Sequence, residues 1–124
     1  MIAPVEDVLG RLRSLCLGLP NVTERMSHGE PAWFVGQRLF LSFANHHHDD
    51  RVAFWAAAPD GAQEALVESD PATYFRPPYV GHRGWIGVYL DVPIDWSAIE
   101  MHVHQAHAAI AGRTRQQATR SRRT

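Results

Sequence analysis

The sequence has 124 residues, of which 45 % are hydrophobic and 20 % are charged, which fits one compact domain and excludes a collagen-like, coiled-coil or largely disordered chain. The formal net charge is −1, but all twelve basic residues are arginine, and five of these lie within 113–123. Residues 1–112 therefore carry seven arginines against thirteen carboxylates, a net charge of −6. Such an acidic body argues against a broad basic surface for duplex DNA, because neutralisation of phosphates dominates that kind of binding.

The first segment predicts an amphipathic helix that begins at Pro4 and ends at Gly18, because its apolar residues are spaced three and four positions apart. Three strands are predicted next, at 32–35, 38–44 and 51–56, where aromatic and β-branched residues are frequent. Short connections between these strands indicate an antiparallel meander.

The second half of the chain predicts a short helix at 62–69, followed by extended segments at 73–76 and 85–90. Asp95 is a suitable N-cap for the last helix, whose apolar residues form one narrow stripe. Gly112 is the expected end of that helix.

The element order α-β-β-β-α-β-β-α predicts an α+β two-layer sandwich, with an antiparallel sheet and helices on one face. A single domain is expected over 1–112, and the tail at 113–124 is expected to be disordered because it has almost no apolar residues. The tail arginines are candidate phosphate contacts: Arg113, Arg115, Arg120, Arg122 and Arg123.

The termini and the cysteine content favour a cytoplasmic protein. Glu6 and Asp7 stand where a signal peptide would carry basic residues, and no apolar run approaches the roughly 18 residues that cross a bilayer. The single cysteine, Cys16, lies in an apolar run and is expected to be a buried packing residue, not a nucleophile.

Alternation along the strands predicts that one face of the sheet, including Leu39, Leu41 and Phe43, packs against the helices. Three interpretations of the other face are open: a second side of the core covered by loops, a homodimer or protein-partner surface, or a platform that stacks bases while arginines hold phosphates. The residues predicted for that face are Arg38, Phe40, Ser42, Arg51, Ala53, Trp55, Trp85, Gly87 and Tyr89.

The histidines do not predict a metal site. Three consecutive histidines occupy the segment 45–50, but neighbouring residues of a loop point in divergent directions, so a solvated polar loop is the preferred interpretation. His102, His104 and His107 lie at different angles around the last helix and cannot converge on one ion. No metal and no cofactor are therefore expected.

Two loops are richer in glycine, proline, histidine and tryptophan than folding requires. They are the His28 loop at 27–33 and the His82 loop at 77–85. His28 with Glu30, or His82 with Arg83, is suited to acid–base chemistry or anion binding, whereas in the alternative interpretation the histidines only bond loop backbone. The sequence contains no nucleophile elbow, P-loop or dinucleotide-binding motif, so an enzyme is not favoured.

At these loops the sequence resembles the MmcQ/YjbR-like family of small bacterial proteins. The resemblance covers about residues 3–112 and rests on the two loop motifs together with their spacing. The matching segments are Leu19-Pro20-Asn21-Val22-Thr23-Glu24, His28-Gly29-Glu30-Pro31-Ala32-Trp33-Phe34-Val35, Tyr79-Val80-Gly81-His82-Arg83-Gly84-Trp85-Ile86-Gly87-Val88 and Leu90-Asp91.

This resemblance implies a small two-layer α/β fold likened to the CyaY-like and secretion-chaperone-like folds. It also implies the family's description as DNA-binding proteins with a double-wing arrangement. The residues that match the motif and are suited to meet an anion or a base are His28, Trp33, His82, Arg83 and Trp85. The full candidate set adds Glu30, Arg38, Arg76 and Tyr79.

Two hypotheses follow for the function. In the first, the protein is a non-enzymatic DNA- or nucleic-acid-binding protein in which arginines hold phosphates and Trp33 or Trp85 stacks on a base. In the second, the two loops form a pocket for a small molecule or a protein partner. A closed pocket would favour the second hypothesis, and an open basic ridge would favour the first. Neither hypothesis involves a membrane.

Overall fold

The computed structural model describes residues 4–46 and 50–123, and it describes the side chains of the last helix as far as Gly112. This part of the chain forms three α-helices, six strands and one short 3-10 helix. In chain order they are α1 (Val5–Leu17), β1 (Val22–Ser27), β2 (Glu30–Val35), β3 (Arg38–Asn45), β4 (Val52–Ala56), α2 (Ala62–Ser69), β5 (Tyr74–Phe75), the 3-10 helix (Gly81–Arg83), β6 (Ile86–Tyr89) and α3 (Trp96–Arg123).

The six strands form one antiparallel sheet in the order β1-β2-β3-β4-β6-β5. The predicted α+β class with an antiparallel sheet is confirmed. The outer strand β1 was not among the predicted strands. It contains only one β-branched apolar residue, Val22, and its burial pattern shows no fully buried position. Its pairing with β2, rather than its own composition, holds it in the sheet.

Helix α1 forms as the spacing of its apolar residues predicts. Pro4 precedes its first turn and accepts backbone hydrogen bonds from the start of the helix, and the backbone N–H of Gly18 closes its last turn. The buried side chains lie one turn apart at Val8, Leu12 and Cys16. Cys16 is fully buried, as predicted, and this burial raises the pKa of its thiol.

Helices α1 and α3 lie on the same face of the sheet, and each makes one polar contact with a strand there. Nε of Arg13 in α1 donates a 2.8 Å hydrogen bond to Glu24 in β1. His102 in α3 shares a 2.7 Å hydrogen bond with the hydroxyl of Tyr74 in β5. The main core lies between this face and the helices, and its largest fully buried side chains include Trp33, Phe40, Phe54, Leu12 and Leu41.

A β-bulge interrupts the alternation of β3. The register pairs Trp33 with Leu41 but Phe34 with Leu39, so Phe40 is an extra residue on this strand. The Phe40 ring packs edge-on against an imidazole of α3, with 5.6 Å between ring centroids. Phe40 therefore joins the helix face and Leu39 turns to the opposite face. The predicted faces of these two side chains, and of Arg38 before them, are wrong, because strict alternation does not hold across a bulge.

Helix α3 begins as predicted but does not end at Gly112. The Asp95 carboxylate accepts hydrogen bonds from the backbone N–H groups of Ser97 and Ala98, at 3.0 and 3.3 Å, which confirms the N-cap. The backbone remains helical through Gly112 to Arg123, so the predicted end is wrong. Glycine stops a helix when it adopts a left-handed conformation, whereas Gly112 keeps a helical one. The division of the chain into a domain and a tail stays a prediction.

No helix in the described part of the chain is both long enough and apolar enough to cross a bilayer.

Candidate functional site

The His28 and His82 loops border one cleft on the sheet face opposite α1 and α3. This cleft has a volume of about 490 Å³. The β1–β2 hairpin contributes Ser27, His28 and Glu30, and the chain before the 3-10 helix contributes Tyr79 and Val80. The sheet contributes Leu39, Ser42, Phe43 and Trp55. The structure thus brings together two motifs that are about 50 positions apart in the sequence.

A tight turn positions the polar residues on the hairpin side of the cleft. His28 and Gly29 both have positive φ angles, 53° and 81°, as a two-residue type I′ turn requires. This turn sets Ser27 opposite Glu30 in the register of β1 and β2. Glu30 is partly buried and lies two positions from Ala32, on the cleft face, while His28 is exposed at the tip.

The floor of the cleft is a row of residues that crosses the sheet. The register aligns Ala32, Ser42, Trp55 and Gly87 on neighbouring strands. Small side chains at the first two positions leave space beside the Trp55 indole, which is 9 % exposed. The bulge adds Leu39 to this face. The cleft is therefore apolar at its floor and polar at the hairpin.

Next to the cleft the same sheet face is closed by an aromatic cluster. The Phe75 ring packs directly over Gly87 and stacks on Tyr89, with centroids 4.5 Å apart. The Arg51 guanidinium lies 3.7 Å from the centroid of the Tyr89 ring and donates hydrogen bonds of 2.8 and 2.7 Å to Asp91. Those bonds hold the pKa of the Asp91 carboxyl below its ordinary value. This packing favours a second side of the core over an exposed aromatic platform.

A buried glutamine that the sequence analysis did not single out holds the His82 loop. The side-chain amide of Gln63 donates hydrogen bonds to the carbonyls of Gly81, at 2.8 Å, and Trp85, at 2.6 Å. Gln63 is only 4 % exposed. Its contacts fix both ends of the 3-10 helix, while Tyr79, with a positive φ of 66°, projects outward and is 72 % exposed.

Two of the predicted stacking residues are core residues. Trp33 is fully buried on the helix face, where its indole N–H donates a 2.9 Å hydrogen bond to Glu24. Trp85 is 2 % exposed. Neither indole is among the residues that line the cleft. The tryptophan that lines the cleft is Trp55, which lies outside both loop motifs.

The predicted cationic residues lie outside the cleft. Four exposed candidates do not line it: Arg38, Arg76, His82 and Arg83. Arg76 packs its aliphatic stem against the backbone of Gly81, where a Cβ would lie 2.7 Å from its Cγ. Of the predicted candidates, the structure therefore brings His28, Glu30 and Tyr79 together. The side chains of the tail arginines lie outside the described residues.

The histidines of α3 have separate environments. His102 is buried against Tyr74, His104 lies 3.9 Å from Glu100, and His107 donates a 2.8 Å hydrogen bond to the carbonyl of Pro20. Within residues 4–46 and 50–112, no group of three or more histidine, cysteine, aspartate and glutamate side chains is placed to hold a metal ion. The predicted loop histidines at 47 and 48 lie outside the described residues.

Comparison with known proteins identifies the family. The YjbR family model matches residues 17–109, which include both loops and all six strands. The fold is similar to the crystal structure of a Deinococcus radiodurans protein described as a DUF419 domain, with a TM-score of 0.70, 17 % identity, and coverage of 82 % of this chain and 77 % of that one. No curated protein matches the sequence. The chain belongs to the YjbR family.

Proposed function

We propose that this YjbR-family protein is a non-enzymatic binding module whose ligand site is the cleft between the His28 and His82 loops. The supporting observation is the convergence of both loops on one preformed cleft of about 490 Å³. Sites of about 300–1,000 Å³ accommodate small organic molecules. Binding is preferred over catalysis because the sequence contains no nucleophile elbow, P-loop or dinucleotide-binding motif.

The composition of the cleft wall fits a ligand with both apolar and polar parts. Leu39, Val80 and Trp55 provide apolar surface, while Ser42 and Glu30 provide polar atoms. Apolar contacts supply most of the affinity in such sites, and a few polar groups set the orientation. The type I′ turn and the Gln63 hydrogen bonds hold the walls in place before a ligand binds, which lowers the entropic cost of binding.

A fragment screen by NMR tests this function. Small organic fragments are titrated into the isotopically labelled full chain, and we expect the largest backbone shifts at Ser42, Trp55 and Tyr79. The Ser42→Leu variant fills the cleft floor and should lose this binding. Ser14→Leu, on the exposed side of α1, is the matched control and should bind as the wild type does. Shifts that cluster elsewhere, or unchanged binding by Ser42→Leu, would refute the proposal.

Single-stranded nucleic acid is a second candidate ligand, supported by the surface around Tyr79. This side chain is 72 % exposed, and the arginines at 76 and 83 are exposed on either side of it in the sequence. Aromatic rings that stack on bases, combined with guanidinium groups that hold phosphates, are the usual elements of single-strand binding. DNA binding by this chain would therefore use the His82 loop and not a broad basic face.

Fluorescence anisotropy with a labelled oligothymidine at two salt concentrations tests this second candidate. We expect binding that weakens as salt rises and that is reduced by Arg76→Gln and by Arg83→Gln. Arg11→Gln, in α1 on the other side of the sheet, is the control for lost charge. Absence of binding at low salt would exclude this function. Binding that disappears only when the five tail arginines are replaced would assign it to the tail.

We also propose a cytoplasmic location, supported by the unpaired, buried thiol of Cys16. Fractionation of cells that express the tagged chain tests this, and recovery in an extracytoplasmic fraction would contradict it.

A further inference from the structure

We propose that the cleft selects an organic cation: a protonated amine or quaternary ammonium group carried on an aromatic or aliphatic body. This inference rests on the proposed function of the cleft and adds the chemical class of its ligand.

The first argument is the charge of the cleft wall. Among the described residues that line the cleft, Glu30 carries the formal charge, and the candidate arginines at 38, 76 and 83 are not part of the lining. Glu30 is partly buried on the cleft face, next to a floor of apolar and hydroxyl groups. A carboxylate in such a position attracts a cation more strongly than one in open water, because less solvent screens it.

The second argument is the position of the two aromatic residues. Trp55 forms part of the floor and Tyr79 borders the cleft from the opposite loop. Aromatic ring faces attract cations, and tryptophan and tyrosine do so more strongly than phenylalanine. Aromatic rings of this kind form the cages that recognise quaternary and methylated ammonium groups, and a carboxylate beside them adds a favourable charge interaction. The cleft has both components in its wall.

The third argument excludes two other classes of ligand. An anion would lie beside Glu30, whose like charge repels it, and the described lining contains no arginine to compensate. A bare metal ion is also unsuited to the site, because the cleft offers one carboxylate in about 490 Å³ and its other described polar groups do not form a ligand set. The volume instead fits an organic molecule.

Three probes of similar size test the inference. Benzylammonium, benzyl alcohol and benzoate are titrated separately into the full-length protein, and dissociation constants are taken from the NMR shifts of cleft residues. We expect the cation to bind about fivefold more tightly than the neutral alcohol, the size of effect that a partly exposed ion pair produces. Benzoate should bind more weakly than the alcohol.

Two charge-removing variants assign the preference to the cleft. Glu30→Gln should remove the preference, so that the cation and the alcohol bind with similar affinity. Glu100→Gln removes the same charge from an exposed position on α3 and should keep the preference. Tyr79→Leu should weaken the cation more than the alcohol, because it removes the ring and keeps an apolar side chain.

The possible results separate this inference from the proposed function. Equal binding of all three probes, or a preference retained in Glu30→Gln, overturns the cation class while the cleft remains a binding site. No shift with any probe also overturns the cation class. The binding function itself is refuted only if the wider fragment screen leaves the cleft residues unshifted as well.

Discussion

The indole N–H of Trp33 donates a 2.9 Å hydrogen bond to the carboxylate of Glu24, its register partner on the neighbouring strand. The same carboxylate oxygen accepts the 2.8 Å hydrogen bond of Arg13, so it connects α1 to the sheet. Both residues belong to the segments that carry the family resemblance. This part of the motif therefore serves the fold, whereas the His28 turn beside it serves the cleft.

Replacement of Glu24 by alanine tests this structural role. Glu24→Ala removes the acceptor of a buried indole N–H, and we expect it to lower the free energy of unfolding by about 2 kcal/mol. Glu24→Gln keeps an acceptor oxygen and should cost less than half of that. Urea denaturation measures both values. If Glu24→Ala is as stable as the wild type, the bond does not hold β1 in place.

A methyl group at Gly87 tests the packing of the second sheet face. The Cβ of Gly87→Ala would overlap the ring of Phe75, and we expect a loss of about 2 kcal/mol in unfolding free energy. Phe75→Leu in the same chain should recover part of that loss. Gly10→Ala is the matched control, because nothing lies within 4 Å of the added methyl group. It should stabilise α1 by up to about 1 kcal/mol. Thermal or urea unfolding shows which of the two substitutions lowers the free energy of unfolding and which raises it.

The Arg51–Asp91 pair predicts a pH-dependent contribution to stability. The Arg51 hydrogen bonds lower the pKa of Asp91. The stability that this pair contributes is therefore present above the ordinary aspartate pKa of 3.8 and is lost as the pH falls through the lower pKa of the folded state. At pH 7, Asp91→Asn should cost about 1 kcal/mol. The difference between the variant and the wild type should narrow below pH 3.8. A constant difference across this range would contradict the assignment.

His102 predicts a second pH effect, at higher pH. Burial lowers the pKa of its imidazole below the ordinary value of 6.5, because the charged form is poorly solvated beside Tyr74. The stability from the neutral side chain is present above 6.5 and is lost as pH falls towards and through the lowered folded value. His102→Gln should therefore lose less stability than the wild type between pH 7 and pH 5.

Unfolding free energies at several pH values measure that effect. His104→Gln, exposed on the same helix, is the control and should follow the wild type. If His102→Gln and the wild type decline in parallel, another group is responsible for the pH dependence.

The sequence predicted the elements that have a strong apolar period. Helix α1, helix α2, the start of α3 and five of the six strands are present close to the predicted positions. Strand β1 was not predicted, because its stability comes from pairing with β2 and from the long-range contact of Arg13 with Glu24. The composition of the strand itself does not indicate either contact. The continuation of α3 beyond Gly112 was not predicted, because a glycine followed by almost no apolar residues is typical of a helix end.

The candidate site was predicted only in part. The two loop motifs identified His28, Glu30 and Tyr79, because turn-forming and polar residues mark a loop without reference to the fold. Trp33 and Trp85 were predicted to stack on bases because they are aromatic. Both are buried, and their burial depends on which elements cover each face of the sheet. Trp55 was placed on the correct face by alternation. Its contribution to the cleft follows from the small neighbours that the register places beside it.

The bulge at Phe40 also affects how this chain should be compared with other members of its family. Each residue of β3 before the bulge faces the side of the sheet opposite to the one that strict alternation predicts. The residues from Leu41 onward pair in regular register with β4. A relative that lacks the extra residue would present a different side chain where this chain has Leu39, even if the surrounding sequence were identical. An alignment with such a relative would need a one-residue gap at this point, and cleft residues of the two chains could be equated only after the gap is placed.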